Sequence, residues 1–300
     1  MDERFQIEAL KALLRHEVAV FCQHNERKWK SEISKTIDEI KANNWPAVFF
    51  GGTLRSLLIS RITRNTIGRP RDVDIVVRGI HLTDLRRQFE QHISRETRFG
   101  GVQLSRRNWQ FDLWPLDKTF AFSNKQFDRP GFFDLPRSTF LNIEAVAMDV
   151  WPQLGKPRTI YSGDDQFFKG ILSQTIEINY EENPFPDLCV ARALVTASNL
   201  QWKVGRRLLQ YVMKHGAQMS EMDFEEVQRK HYGAIKLSGA VLQRVLDFAS
   251  ERVARSTDQS FELPLPKQLS LWSDDHKPSP RFRFTVVAAS NKSKKKVVVR

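Results

Sequence analysis

Cysteine is nearly absent from this chain, with only Cys22 and Cys189 in 300 residues. Their spacing fits no zinc ligand pattern and offers no disulfide framework, so a reduced, cytoplasmic setting is expected. Long apolar runs are missing too. No stretch approaches the roughly 20 apolar residues a bilayer-spanning helix needs, and no membrane role is expected. The opening segment, MDERFQIEALKALLRHE, is charged throughout and lacks the apolar centre of a secretory signal. Seven scattered histidines suggest no catalytic role for that residue type. There is no internal repeat.

What the chain has in quantity is apolar residues and positive charge. At 41% hydrophobic, with seven Trp and 21 Phe, it reads as a folded globular protein. Its length suits one large domain or two modest ones with real cores. The net charge of +12 and a pI near 9.8 point to a polyanionic partner, nucleic acid before anionic membrane. Part of that excess sits in the terminal NKSKKKVVVR, but SRITRNTIGRPR and KVGRR lie inside the folded region.

Periodicity divides the chain into four stretches. Residues 1–45 form a helical segment, with Ile7, Leu10, Leu13, Leu14 and Val18 at helical spacing, then Ile33, Ile37 and Ile40. Pro46 ends it by pushing Trp45 out of the α region. Residues 46–160 alternate short apolar runs with turns: AVFF, VDIVV, GGVQL, WQFDLWPL and LNIEAVAMDV read as strands, with TDLRRQFEQHIS a helix among them. This is a mixed α/β head. Residues 161–255 return to helical periodicity, as in PDLCVARALVTASNL and VLQRVLDFASERV. Residues 256–300 turn Pro- and Ser-rich, then basic, and read as an extended segment and tail.

The stretch FFGGTLRSLLISRITRNTIGRPRDVDIVV carries the chemistry. In a strand, Asp72 and Asp74 share one face while Val73, Ile75 and Val77 take the other. Two carboxylates side by side repel unless a cation lies between them, and Mg²⁺ shared with triphosphate oxygens is the usual solution. Solvated aspartates on an exposed strand are the plain alternative. Gly51 and Gly52 let backbone approach a ligand, and Thr53 is placed to cap the helix that follows. A helix start reached through glycines is a cradle for phosphate. Arg55 in the first turn opposes the helix dipole unless an anion is near. Asp112, an acid alone in the apolar strand WQFDLWPL, supplies a third carboxylate. A salt bridge to one of the many arginines is its alternative use.

With those pieces in order, the chain resembles the nucleotidyltransferase head of bacterial poly(A) polymerases and class II tRNA CCA-adding enzymes. GGTLRSLLI is similar to that family's G-G-x-V-R-D-x-L-L, and GRPRDVDIVV to its D-x-D element. LNIEAVAMD is similar to F-T-I-N-A-L-A-Y-D, so Asn142, Glu144 and Ala145 fall on T, N and A. ENPFPDLCVARAL looks like the region around E-D-P-L-R-M-L-R-A, with Arg192 on its second arginine. The resemblance covers about residues 46–200. Ser56 stands where the family has the aspartate of R-D. Cys189 stands where it has the arginine of its base-reading element, and Pro186 and Asp187 where E-D-P would run.

The resemblance implies an α/β (α+β) nucleotidyltransferase head with a mixed sheet, followed by an all-helical body. It implies a two-metal Mg²⁺ site, with Mn²⁺ as an alternative ion, held by Asp72, Asp74 and Asp112. Gly51, Gly52, Thr53, Arg55 and Arg192 would bind the nucleotide. The expected reaction moves NMP from an NTP to an acceptor hydroxyl, an RNA 3′ end first, without the usual CCA base-reading element. Basic residues of the body such as Lys203, Arg206 and Arg207 would track phosphates, or simply face water. Two other readings stay open: a stand-alone transferase acting on a protein or small molecule, as in toxins and defence factors, and a silent RNA-binding relic. The oligomeric state is not legible.

Overall fold

The computed structural model describes residues 2–23, 25–26, 29–30, 32–63, 70, 72–123, 127–266, 284–285 and 298–299. Most of the basic loop before Asp72, with Arg64, Arg69 and Arg71, lies outside the described residues, as does nearly all of the basic tail. Two compact units result. The first comprises residues 1–138, 144–168 and 278–300, and the second residues 139–143 and 169–277.

The first unit is built on a seven-stranded mixed sheet. In chain order its elements are α1 (Glu3–Gln23), α2 (Glu32–Ala42), β1 (Ala47–Phe50), α3 (Gly52–Thr63), β2 (Asp72–Val77) and α4 (Leu82–Phe89). Then follow β3 (Ile93–Glu96), β4 (Val102–Arg106), β5 (Trp109–Pro115), β6 (Ala147–Asp149) and β7 (Ile160–Tyr161). The strand order is β3-β4-β5-β2-β1-β6-β7. Only β2 and β5 run parallel; the other neighbours are antiparallel. The two-residue turn Arg107–Asn108 joins β4 to β5, with Arg107 at φ +51°.

Both sheet faces are covered, and differently. Phe49, Ile75, Phe111 and Leu113, all fully buried, form the face under the helices. Helix α1 puts Phe21 edge-on to Phe49 and to Trp109, with centroids 6.0 and 5.8 Å apart. Its buried Ile7, Leu10, Leu14 and Val18 follow the spacing read from the sequence. Arg106 of β4 is buried and forks onto Glu39 of α2 at 3.0 and 2.5 Å, with its guanidinium over Phe89 of α4. On the opposite face Val48, Val76 and Ala147 pack with Leu116, Phe132 and Leu135 from a run of 3₁₀ turns. Asp72, Asp74 and Asp112 share the face that carries this second cover.

The stretch read as one strand, LNIEAVAMDV, is strand only over Ala147–Asp149; Asn142–Glu144 is a 3₁₀ turn. The reason is the buried Asn142 side chain. It accepts from the amides of Ile143 and Glu177 and donates to the carbonyl of Thr175, which bends the backbone locally.

The second unit is helical: α6 (Pro186–Leu200), α7 (Arg206–Gly216), α8 (Glu221–Tyr232) and α9 (Gly239–Arg255), after α5 (Gln166–Ser173), whose last turn belongs here. It also holds a small sheet in which Thr175–Ile176, Lys203–Gly205 and Ser260–Phe261 pair. Proline in the first turn of α6 suits a helix start, and Gln201 at φ 54° ends it. Gln228 of α8 is fully buried and satisfied, donating to Phe224 and Leu237 carbonyls and accepting from the amides of Lys236 and Leu237. Ser220 and Asp223 form a capping box on α8.

Two outcomes follow. Phe49→Ala removes a fully buried ring and is expected to cost about 3–5 kcal/mol, read as a shift in urea midpoint. The Ser220 hydroxyl and amide hold the Asp223 carboxyl below its ordinary value. Its contribution is therefore present above the ordinary carboxylate range and lost as pH falls through the lowered value. The melting-temperature gap between wild type and Asp223→Ala should narrow on acidification.

Candidate active site

Strand β2 alternates as the sequence indicates: Val73 and Ile75 are fully buried, and Asp72 and Asp74 half-buried on the other face. The parallel ladder then does what the sequence alone did not show. It sets Asp72 beside Gln110, Asp74 beside Asp112 and Val76 beside Trp114. Neighbouring strands lie about 4.8 Å apart, so the Asp74 and Asp112 side chains rise next to each other from one face. Val76 and Trp114 belong to the apolar cover; two residues along, the same face carries acids. Asp72 Oδ1 is withdrawn from solvent.

The glycine turn sits against these acids. Gly51 has φ +54°, a conformation side chains other than glycine adopt at a cost, and its amide donates to Val146 at 3.0 Å. Gly52 opens α3, and a Cβ placed there would lie 3.5 Å from Asp74 Oδ2 and 3.9 Å from Arg55 Nη2. A carboxylate and a guanidinium thus flank a patch of bare backbone.

Thr53 departs from the expected capping role. It lies inside the first turn of α3, fully buried, and its hydroxyl accepts the Asp74 amide at 2.8 Å. The side chain locks the helix start to β2. Arg55 finds its anion in Glu144, 2.6 Å away and buried. That pair spans residues far apart in sequence and holds the guanidinium beside Gly52.

Asp112 is held in turn. Gln103, opposite it on β4, donates to Asp112 Oδ1 at 2.9 Å, and Arg95 of β3 donates to Gln103 Oε1 at 3.0 Å. The first unit therefore brings together Asp72, Asp74, Asp112, Gly51, Gly52, Thr53 and Arg55. Arg192 belongs to the second unit, half-buried on α6. Among the described residues, no three or more His, Cys, Asp or Glu side chains are gathered into a metal-holding cage.

No protein-family model matches the chain, and no curated protein matches it. Solved structures do match. A CCA-adding enzyme in complex with ATP aligns with a TM-score of 0.50 at 15% identity, over 75% of this chain and 52% of that one. A CCA-adding enzyme in complex with CTP gives 0.50 at 15%, over 71% and 49%. The likeness is one of fold, shared with these CCA-adding enzymes. The chain spans about half the length of these structures.

Within this fold, sequence reasoning missed Gln103, Arg95 and the pairing role of Glu144. Gln103 had a signal. With a two-residue turn at Arg107–Asn108, counting back along the hairpin sets it opposite Asp112. Glu144 had none beyond being an acid in an apolar run.

The glycines separate two effects. Gly51→Ala is expected to cost about 1–2 kcal/mol from left-handed backbone strain. Gly52→Ala meets only ordinary contacts and should melt with wild type. Thermal denaturation of both variants checks this.

Proposed function

We propose that this protein is a metal-dependent nucleotidyltransferase that moves NMP from an NTP to an acceptor hydroxyl, with an RNA 3′ end as acceptor. The observation that carries the reading is the placement of Asp74 beside Asp112, against the glycine start of α3. Enzymes of the same fold occur in complex with ATP and with CTP, which supports an NTP as donor.

The residues fit a hard divalent cation. The donors are carboxylate oxygens alone, half-buried, and adjacent to space that a single Cβ would narrow. An incomplete protein cage is no obstacle, because Mg²⁺ keeps few protein ligands and completes its shell with phosphate oxygens and water. Asp72, Asp74 and Asp112 would hold it. Mg²⁺ or Mn²⁺ bound there would stabilise both the entering and the leaving oxygen of an in-line displacement.

The chain's own groups divide the remaining work. Bare backbone at Gly51 and Gly52 admits the triphosphate close to the start of α3, where the helix dipole favours negative charge. Arg55, steadied by Glu144, faces the same place with a guanidinium suited to phosphate oxygens. The acceptor hydroxyl bonds to the α-phosphorus, the bond to the bridging oxygen breaks, and pyrophosphate leaves while the hydroxyl proton passes to water.

The excess of positive charge supports RNA as acceptor. It is unevenly placed. Residues 169–266 carry twelve Lys and Arg against twelve Asp and Glu, so the surplus lies before and after the helical body. Arg206, read as a phosphate-tracking residue, is spent on the fold. It donates to the carbonyls of Asp258, Val253 and Ser256 and covers the Phe261 ring. Cys189 is buried beside the Tyr211 hydroxyl, which burial pushes above its ordinary pKa. A small thiol there supports the absence of the arginine-based base-reading element.

The test is transfer of label from α-³²P-labelled NTPs to total RNA with Mg²⁺, followed by sequencing of extended 3′ ends. Asp74→Asn should lower the rate about a thousandfold, the loss of several kcal/mol of transition-state stabilisation. Unchanged labelling by Asp72→Asn plus Asp74→Asn overturns the chemistry. Label that enters only protein or small molecules keeps the chemistry and moves the acceptor.

A further inference from the structure

We infer that Gln103 is a positioning residue for Asp112, and that Arg95 fixes the direction of its amide. The inference rests on the functional reading above and names how its third carboxylate is held.

Three observations converge. First, Gln103 is buried, and it sits directly opposite Asp112 in the antiparallel pair of β4 and β5. Second, its two ends face groups of opposite character. Arginine can only donate, so the end facing Arg95 must be the amide oxygen. An ionised carboxylate can only accept, so the end facing Asp112 must be the NH₂. Both neighbours require the same orientation, and the amide has no second way to satisfy them.

Third, the backbone is adjusted to bring Arg95 there. The register of β3 on β4 runs from Ile93 opposite Leu104 to Arg95 opposite Gln103, so Ser94 is an extra residue. Without that bulge Ser94 would face Gln103 and Arg95 would point to the other side of the sheet. Ser94 instead anchors the bulge by donating its hydroxyl to the Gln103 carbonyl at 3.0 Å.

The choice of a neutral spacer has a chemical consequence. A guanidinium placed directly on Asp112 would neutralise the acid and compete with a cation for its oxygens. An amide fixes the carboxylate while leaving its charge intact, and the arginine acts one side chain removed. Partners of this kind orient ligating carboxylates.

The experiment uses the full chain and Mn²⁺ as the probe, titrated by electron paramagnetic resonance without nucleotide, alongside steady-state transfer kinetics. Gln103→Ala should weaken Mn²⁺ binding and lower kcat, each about tenfold, with KM for NTP unchanged. Gln103→Met, which keeps the buried volume, should do the same and serves where the alanine variant fails to fold. Arg95→Ala, on an exposed edge strand, should give a smaller loss in the same direction, and Arg95→Lys should restore it. Wild-type Mn²⁺ affinity in a folded Gln103 variant overturns the inference while leaving the functional reading intact. A silent Arg95→Ala overturns the part assigned to Arg95. A wild-type protein that binds no Mn²⁺, with or without NTP, overturns both readings together.

Discussion

The site depends on one constraint: two carboxylates must be held on neighbouring parallel strands, at the same level and on the same face. Like charges at that spacing repel, and free side chains would swing apart into water. The chain prevents this by burying the strands that carry them. Strand β2 is internal to the sheet, paired on one side with β1 and on the other with β5. Its helix-facing residues are sealed under α1 and its neighbours, and Val76 and Trp114 are covered on the acid-bearing face. Asp74 and Asp112 are left where that cover gives out. In the proposed reaction a cation brought in by substrate would offset that repulsion, which makes the pairing part of the mechanism rather than a defect of packing.

The cations around the acids are managed with equal care. Arg55 is engaged by Glu144, and Arg95 by Gln103. Thr53 ties the start of α3 to the backbone of β2, so helix and strand move as one piece. These three contacts share a form. Each joins an element that would bind phosphate or orient a carboxylate to a rigid neighbour, and none uses a flexible loop. A site assembled this way would keep its geometry before the proposed nucleotide arrives, which is where preorganised electrostatics gains its effect.

Much of this was legible in the sequence because it is local. The alternation of DVDIVV fixed which residues share a face with Asp72, and the i, i+3, i+4 spacing of Ile7, Leu10, Leu14 and Val18 identified α1. Asp112 stood out as an acid among apolar neighbours. What was not legible depends on pairings between distant segments. The parallel register that puts Asp74 beside Asp112 is set by the crossover through α4, β3 and β4, and no short-range pattern encodes it. The partnership of Arg55 with Glu144 is likewise tertiary. Thr53 looked like a cap because threonine before an apolar helix usually is one; the closeness of β2 redirected its hydroxyl. The bulge at Ser94 is a single extra residue, invisible until its partner strand is known.

The helical body shows the same limit in charge rather than register. KVGRR reads as a basic surface, yet Arg206 folds inward to gather the carbonyls at the end of α9 and to cover Phe261. A guanidinium committed to backbone carbonyls keeps its charge but loses the donors that would grip a phosphate. With the charges of residues 169–266 balanced, twelve of each sign, the body offers a polyanion no net attraction. Long-range attraction falls off over about a Debye length of 8–10 Å, so in the proposed function the draw on RNA would come from wherever the surplus is concentrated. That surplus lies in the segment bearing the carboxylates and in the basic C-terminal stretch. In the proposed function, selection among acceptors would then rest on what reaches Asp74 and Asp112 rather than on the body.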